Sequence, residues 1–427
     1  MVTKYQPVKG MRDFWPAEML KREYVLDIMK KTAQTWGFLP TDTPALESLE
    51  LLSAKGGAGE AIKKEIYNFK DQGDRELGLR FDLTVPTARL ISSKLDLPLP
   101  FKRYTTGKVW RYDNPQALRW REFQQFDVDI FGSNKPESDA EIIGLTCQIF
   151  DSLGFKDFVV SLNSRKLLEA FLKFVGITDL AEVFRSIDKL DKIGEDGVRK
   201  ELVEKIKGKD KVEKVMDFIK AKGSASFEKA LREIKSVEGR EAADELKKIS
   251  DLIKSFGYEK NLQLDMSLVR GLEYYTGIVF EVRIPDIPVS LGGGGRYDKM
   301  IESFGGRSTP AIGVGIGFER IVEVMSRKGM FKLEPPVKLY VLSVDENVKP
   351  EALKICQKLR AEGISSVFDV SGKDLKKQLA YASNSGIPFA LFVGEKELKE
   401  KKFKLKDMED GEEQLGSLEN IIKKLKN

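Results

Sequence analysis

Residues 110–129 decide the fold, and they read WRYDNPQALRWREFQQFDVD. Asn114 and Pro115 favour a turn, so the stretch predicts a β-hairpin with strands at 104–112 and 123–131. Successive residues of a strand point to opposite faces of the sheet. The second strand therefore has an apolar face and a polar face: Phe126, Val128 and Ile130 alternate with Gln125, Asp127 and Asp129.

The polar face of this hairpin indicates a ligand site. Gln125 and Asp129 lie four residues apart on one face, where they can hydrogen-bond a polar ligand lying across the sheet. Several arginines flank Phe123, and such a group can hold a polyphosphate while the ring stacks on a purine. The alternative, in which the arginines are plain surface charge, leaves the Gln/Asp face unexplained.

The length and composition bound the kind of protein. A chain of 427 residues is too long for one ordinary core, so two or three domains are expected. The net charge of +5 is too balanced to establish nucleic-acid binding. We expect a cytoplasmic protein with no membrane span, because no apolar run has signal-peptide or membrane-spanning length. Cys147 and Cys356 lie far apart, which favours a reducing compartment over a disulfide framework or zinc ribbon.

The chain contains no histidine at all. Imidazole therefore cannot serve as general base, nucleophile or metal ligand, which excludes Ser-His-Asp triads and histidine zinc sites. Carboxylates, Lys, Arg, Tyr, Cys and bound ions remain for the chemistry. We accordingly expect no metal site made of His or Cys ligands.

The order of helix and strand patterns divides the chain. Helices are predicted over 17–36 and 136–153. From 163 to 257 the sequence is rich in Lys, Glu, Leu and Ile, which predicts a helical insertion. Beyond Pro335–Pro336, strands and helices alternate, which predicts a compact, mostly parallel α/β domain.

Two further segments carry candidate ligand-binding residues. Asp82 and Thr84 would face the same way on an extended segment and could hold a small cationic group. The alternative is a helix cap ahead of the Pro86 turn. Tyr274 and Tyr275 could surround an aromatic cationic side chain, but strand alternation would separate them unless the backbone turns at Gly271 or Gly277.

The glycine-rich segments 290–298 and 310–320 let a backbone approach a ligand closely. The second is strand-like and then turns into a helix with Arg320 near its start. The spacing Gly-x-Gly-x-Gly over 313–317 lacks a βαβ context, so it does not favour a dinucleotide-binding fold.

Taken in order, these segments resemble the class II aminoacyl-tRNA synthetases, and specifically the histidyl-tRNA synthetase family. The stretch 37–46, which contains Pro44, resembles the first class II motif, and 111–129 and 310–320 resemble the second and third. Arg270-Gly-Leu-Glu-Tyr-Tyr and Leu291-Gly-Gly-Gly-Gly-Arg-Tyr-Asp resemble the two histidine-binding signatures of that family. Lys9-Gly-Met-Arg-Asp-Phe resembles its opening, and Asp82-Leu-Thr and Asp113-Asn-Pro resemble its archaeal and eukaryotic branch.

The resemblance implies an α+β fold, with an antiparallel-sheet catalytic domain, a helical insertion and a C-terminal α/β anticodon-binding domain. The implied parts are 1–162 and 258–331 for the catalytic domain, 163–257 for the insertion and 337–427 for the anticodon-binding domain. The charged runs of the insertion are most simply solvated helix faces, and tRNA contact is the alternative. A homodimer is implied by the first motif.

The resemblance also implies roles for individual residues. Histidine would be bound by Asp82, Thr84, Gln125, Asp129, Arg270, Tyr274 and Tyr275. ATP, with Mg²⁺ on its outer phosphates, would be bound by Arg111, Arg119, Phe123 and Arg320. Arg111 and Arg270 would act catalytically on the α-phosphate, and Gln116 would meet the tRNA acceptor end. The loop between Pro115 and Arg121 looks shorter than usual in this branch, which leaves the contact of Gln116 and Arg119 with tRNA open.

The implied activity is ATP-dependent formation of histidyl-adenylate from L-histidine and transfer of the histidyl group to tRNA(His). The alternative is a catalytically silent regulatory paralogue from histidine biosynthesis. Such chains usually lack the anticodon-binding domain and lose signature residues, whereas this chain keeps 337–427, Arg270, Tyr274 and Tyr275. A non-enzymatic tRNA-binding module is a third possibility, and the set of ATP-site arginines disfavours it.

Overall fold

A computed structural model describes residues 5–54, 64–94, 96–223, 228, 234, 236–269 and 274–426. The chain forms two compact units, Met1–Phe331 and Lys332–Asn427. Among the described residues, no helix combines the length and apolar character needed to cross a membrane.

The strands of the first unit form two sheets in its described part. They are β1 Leu39–Pro40, β2 Leu46–Ser48, β3 Asn68–Lys70, β4 Glu76–Leu79, β5 Phe101–Trp110, β6 Glu122–Phe131, β7 Val159–Ser164, β8 Leu262–Leu264, β9 Ile278–Arg283, β10 Gly292–Arg296 and β11 Ala311–Ile316. The large sheet has the order β1-β5-β6-β11-β10-β9-β7-β8. It is antiparallel from β5 to β7, and a parallel strand is added at each edge. The small sheet has the order β2-β4-β3.

Helices of the first unit pack on both faces of the large sheet. They are α1 Pro16–Thr35, α2 Leu49–Ser53, α3 Thr84–Ser92, α4 Pro136–Ser152, α5 Arg165–Phe174, α6 Leu180–Ile187, α7 Leu190–Lys205, α8 Lys209–Ile219, α9 Val237–Ser255, α10 Met300–Ser303 and α11 Phe318–Arg327. The predicted helices at 17–36 and 136–153 are confirmed as α1 and α4 within two residues at each end.

The predicted hairpin is confirmed as β5 and β6, which pair in register from Phe101 opposite Phe131 to Trp110 opposite Glu122. The predicted alternation of β6 is confirmed too. Phe126, Val128 and Ile130 are buried in the apolar core beneath α1 and α4. The opposite face of β6 carries Gln125, Asp127 and Asp129, which line a cleft.

The lysine-rich and glutamate-rich stretch is helical where it is described, as predicted. Its last helix, α9, packs on α4 and α5 through Leu246, Ile249 and Ile253, which are all buried. These residues belong to the same apolar cluster as the large sheet. The stretch therefore shares the core of the first unit.

The second unit contains a five-stranded sheet in its described part, with flanking helices. The strands are β12 Leu339–Ser343, β13 Ser366–Phe368, β14 Phe389–Val393, β15 Phe403–Asp407 and β16 Glu413–Gly416, and the helices are α12 Lys349–Ala361, α13 Leu375–Asn384, α14 Glu395–Glu400 and α15 Leu418–Lys426. The order is β13-β12-β14-β15-β16. The expectation of a mostly parallel sheet is wrong: β15 and β16 add an antiparallel hairpin to three parallel strands, so the sheet is mixed.

Candidate active site

A cleft of about 320 Å³ opens on the polar side of the large sheet. Strand β6 forms its floor, and β10 and β11, the hairpin loop and the start of α3 form its walls. Most of the predicted site residues line it: Asp82, Thr84, Arg111, Arg119, Phe123, Gln125, Asp129, Tyr274, Tyr275 and Arg320. Two predicted residues stand apart from this group. Gln116 is exposed on the hairpin loop, and Arg270 lies outside the described residues.

The floor of the cleft is a row of polar side chains on β6. Asp127 and Asp129 are each 3% exposed, and Gln125 lies beside them. Asp129 is held from two sides, because the Tyr297 hydroxyl donates to its Oδ1 and the Arg103 guanidinium pairs with its Oδ2. Arg103 faces Asp129 directly across the β5–β6 ladder.

Burial and mutual repulsion make this floor electrostatically unusual. Burial, reinforced by the charge of Asp129, raises the pKa of Asp127 well above its ordinary value. Burial also raises the pKa of Asp129, against the lowering influence of Arg103 and the Tyr297 hydroxyl. Gln125 Oε1 and Asp127 Oδ1 are buried and accept no hydrogen bond from the described residues. Buried acceptors of this kind are stabilised by a donor or a cation, so the floor suits a positively charged ligand.

Glycines make room for this floor. A Cβ at Gly313 would lie 1.8 Å from Asp129 Oδ1, and a Cβ at Gly294 would lie 2.0 Å from the Gly313 carbonyl oxygen. At Gly294 and Gly313, the atoms that come close to the glycine belong to neighbouring strands and to the Asp129 carboxylate. From the sequence, a ligand was expected to approach the backbone here instead. Gly292 and Gly293 do line the cleft.

Asp82 lies two residues before the first residue of α3, so the segment is not an extended strand. Leu83 has helical backbone angles, and Asp82 Oδ1 accepts a hydrogen bond from the Val85 backbone N–H at 3.0 Å. Asp82 thus makes a capping contact with α3, although Leu83 is the N-cap residue, and the extended segment is wrong. The cation-binding role of Asp82 and Thr84 stays a prediction. Both Asp82 and Thr84 still line the cleft, because α3 begins at its edge. Burial raises the pKa of Asp82 to about 6.

Tyr274 and Tyr275 share the cleft even though they are adjacent in sequence. They precede β9 and do not belong to a strand, so strand alternation does not separate them. Their ring centroids are 4.7 Å apart with an interplanar angle of 54°. Tyr275 is buried, and Tyr274 also contacts the Tyr297 ring.

Arginines and an aromatic ring form the other end of the cleft. The Arg111 guanidinium lies 5.3 Å from the centre of the Phe123 ring, and its Nε donates to the Phe81 carbonyl oxygen at 2.9 Å. Arg320, in the first turn of α11, donates from Nη1 to the Ser290 carbonyl at 2.7 Å and from Nε to the Leu118 carbonyl at 3.3 Å. Arg119 has its Nε 3.8 Å from an Asp113 carboxylate oxygen. Gln116 and Arg119 exchange two backbone hydrogen bonds that close the hairpin loop.

Sequence reasoning missed several residues of the site. Arg103 and Tyr297 hold Asp129, and Glu65, Asp113 and Glu319 line the cleft. Asp127 could have been found, because it shares the polar face of β6 with Gln125 and Asp129. The partners of Asp129 differ in this respect: no local pattern marks Arg103 on β5, whereas Tyr297 falls within the signature 291–298 but was given no role there.

Comparisons with known proteins agree with this geometry. The family model described as histidyl-tRNA synthetase matches residues 10–321, and the model described as anticodon binding domain matches 338–427. The histidine–tRNA ligase of Pyrococcus furiosus is 36% identical over 98% of both chains, and that of Aeropyrum pernix is 41% identical over 92% of this chain and 91% of its own. A crystal structure of histidyl-tRNA synthetase from Nostoc sp. PCC 7120 superposes with a TM-score of 0.89 at 29% identity and covers 99% of both chains.

An antiparallel sheet with a mixed acidic and arginine-lined cleft, followed by an anticodon-binding unit, defines the class of aminoacyl-tRNA synthetases. Within that class, the chain belongs to the histidyl-tRNA synthetase family.

Proposed function

We propose that this protein is a histidine–tRNA ligase, which activates L-histidine with ATP and transfers it to the 3′ end of tRNA(His). The observation that carries the proposal is the division of one cleft into two ends. One end has buried carboxylates and paired tyrosines, and the other has arginines around Phe123. An amino acid and a nucleotide placed in these two ends would meet in the middle.

The acidic end suits histidine. Asp82 and Thr84 would hold the α-ammonium group, because a buried carboxylate at the cleft edge gains from a cationic partner. Tyr274 and Tyr275 would enclose the imidazole, and Gln125 and Asp129 would hydrogen-bond its nitrogen atoms. The acceptor Oε1 of Gln125 is unpaired among the described residues, which supports a donor from the ligand.

The arginine end suits the nucleotide, which would enter as its Mg²⁺ complex. Phe123 offers a flat ring for adenine, and Arg320, which also lines the cleft, would reach the γ-phosphate. Arg111 would contact the α-phosphate, and Arg119, which is partly exposed, would contact the outer phosphates. Arg270 is proposed to lie beside the α-phosphate on the strength of the family signature alone.

The first step would be in-line attack of the histidine carboxylate oxygen on the α-phosphorus of ATP. A P–O bond forms, the bond to the β-phosphate oxygen breaks, and pyrophosphate leaves with the electron pair. A carboxylate is already ionised near neutral pH, so this step needs no general base, in keeping with a chain that has no histidine. The enzyme would accelerate this step by positioning the two substrates and by stabilising negative charge on the α-phosphate with Arg111 and Arg270.

In the second step, the terminal ribose hydroxyl of tRNA(His) would attack the adenylate carbonyl carbon, and AMP would leave. A phosphate oxygen of the adenylate would accept the hydroxyl proton. The exposed Gln116 on the hairpin loop would meet the acceptor end, and the second unit would bind the anticodon, as its family match suggests. We also propose a homodimer, a cytoplasmic location and domain limits at 162, 257, 331 and 337.

Charging of tRNA tests the function directly. Purified protein, ATP, Mg²⁺, radiolabelled histidine and tRNA(His) should give acid-insoluble label that depends on ATP. Asp82→Asn should lower the rate, whereas Asp71→Asn, in the exposed turn after β3, should not. Absence of label in the wild-type protein would favour the regulatory paralogue instead. The 338–427 match to the anticodon-binding model argues against that alternative.

A further inference from the structure

The segment before α1 contacts residues that line the proposed nucleotide end of the cleft. We call residues 10–14 the N-terminal strap. The Gly10 carbonyl oxygen accepts hydrogen bonds from the backbone N–H groups of Arg121 at 2.9 Å and Glu122 at 3.4 Å. Gly10 has φ +84°, and a Cβ there would lie 2.8 Å from Arg121 Cγ. The strap is therefore seated directly on the base of the hairpin loop.

Arg12 links the strap to two elements of the cleft at once. Its Nη2 donates to Glu319 Oε2 at 2.7 Å, and its guanidinium carbon lies 4.0 Å from the centre of the Trp120 ring. Trp120 and Glu319 both line the cleft. A planar guanidinium can stack on an aromatic ring and pair with a carboxylate simultaneously, which a lysine ammonium does less well.

Glu319 is the anchor for these contacts. It is 5% exposed, and it accepts hydrogen bonds from Arg12, from both Nη atoms of Arg22 at 2.7 Å, and from the Gln124 backbone N–H at 3.1 Å. The next residue in α11 is Arg320. The position of the first turn of α11, and so of Arg320, thus depends on how this carboxylate is held.

The contacts close into a ring. The strap holds Trp120 and Glu319 through Arg12, and Glu319 adjoins Arg320. Arg320 in turn donates to the Leu118 carbonyl of the same hairpin loop. Apart from the Gln124 backbone N–H, which donates to Glu319, the ring uses none of the residues assigned to the histidine end of the cleft: Asp82, Thr84, Gln125, Asp129, Tyr274 and Tyr275.

We propose that Arg12 is a positioning residue for ATP: through Glu319 and Trp120 it sets the geometry between the hairpin loop and Arg320. The inference rests on the proposed function, because it assumes that the arginine end binds the nucleotide. Loss of Arg12 should weaken ATP binding and leave histidine binding unchanged. If Arg12 served only the general stability of the fold, its loss would change the binding of both substrates or of neither.

The experiment is histidine-dependent ATP–pyrophosphate exchange with the full chain, measured against each substrate separately. Arg12→Ala should raise KM for ATP by about tenfold, with KM for histidine changed by less than about twofold. Arg12→Lys keeps the charge for Glu319 but loses the planar stacking on Trp120, so it should recover only part of the ATP affinity. Arg327→Ala is the matched control, because it removes an exposed arginine that pairs with Glu323 on the same helix.

Glu319→Gln supplies the second variant. If Arg12 acts through Glu319, adding Arg12→Ala to Glu319→Gln should raise KM for ATP by less than it does in the wild-type chain. Equal effects of Arg12→Ala on both substrates, or an unchanged KM for ATP in a folded variant, would overturn the proposal. Absence of exchange in the wild-type protein would count against the proposed function itself, so the two failures are distinguishable.

Discussion

The Tyr297 hydroxyl donates a hydrogen bond to Asp129 Oδ1, and the two residues come from positions 168 apart in the chain. Tyr297 follows β10 and Asp129 lies on β6, so β11 separates their strands in the sheet. The bond fixes the orientation of a buried carboxylate that we assign to the imidazole of histidine.

We predict that Tyr297→Phe raises KM for histidine by about tenfold, because a buried acceptor that loses its donor is destabilised by ~1–3 kcal/mol. KM for ATP should remain unchanged. Tyr104→Phe is the control: Tyr104 is also buried, but its ring stacks on Phe126 on the core side of the sheet. Equal KM values for histidine in Tyr297→Phe and the wild-type protein would show that Asp129 needs no such positioning.

The Asp82 carboxyl should make histidine activation sensitive to pH. Its pKa is raised to about 6 by burial, so it is ionised above pH 6 and becomes neutral as the pH falls below it. Only the ionised form attracts the α-ammonium group, so kcat/KM for histidine should fall as the pH drops from 7 to 5.

Asp82→Asn provides the comparison for this pH profile. The imidazole of free histidine also titrates, with a pKa of about 6.5, but this titration affects the wild-type protein and the Asp82→Asn variant equally. The variant should have a lower kcat/KM at pH 7 and a shallower decline toward pH 5. Parallel profiles would mean that Asp82 does not contribute to the pH dependence.

Gly313 should tolerate no side chain. A Cβ there would lie 1.8 Å from Asp129 Oδ1, so Gly313→Ala should reduce the free energy of unfolding by ~1–3 kcal/mol and displace the carboxylate from the cleft. Gly292→Ala, on the adjacent β10, would place its Cβ no closer than 3.5 Å to any residue other than its chain neighbours, so it should leave the free energy of unfolding unchanged within experimental error. Urea unfolding of the two variants checks this, and equal stabilities would contradict the packing argument.

Arg270 is assigned from the family signature, and it lies outside the described residues. We predict that Arg270→Ala lowers the rate of histidine-dependent ATP–pyrophosphate exchange by about 10²–10³, the usual effect of removing one preorganised charge donor. Arg75→Ala, which removes an exposed arginine paired with Asp71, is the control. Near-normal exchange in Arg270→Ala would refute the catalytic role.

Local patterns in the sequence were sufficient to predict the hairpin and its two faces. Strand alternation places Gln125, Asp127 and Asp129 on one face of β6 and depends only on the local conformation of that strand. The same reasoning left two alternatives open at Asp82, because Asp and Thr ahead of Pro86 fit both an extended segment and a helix cap. Helix-cap propensity favours a capping role for Asp82, and the structure has such a capping contact. Asp82 and Thr84 can still face the same cleft, because the helix starts at its edge.

Local sequence patterns could not predict which residues meet when strands from distant parts of the chain pair. Arg103 meets Asp129 because β5 and β6 pair in one particular register, and Tyr297 meets it only once β10, β11 and β6 are side by side. The antiparallel hairpin of β15 and β16 was missed because its charged, exposed residues weaken the strand signal. Phe403 and Leu405 nevertheless alternate with lysines and are buried.

Amino-acid-dependent ATP–pyrophosphate exchange, run with each of the twenty amino acids and Mg²⁺, is the measurement that tests the central claim most directly. The geometry of the cleft predicts that histidine alone supports rapid exchange of label into ATP. Exchange with a different amino acid, or none with histidine, would contradict the assignment of the acidic end to histidine and the arginine end to ATP.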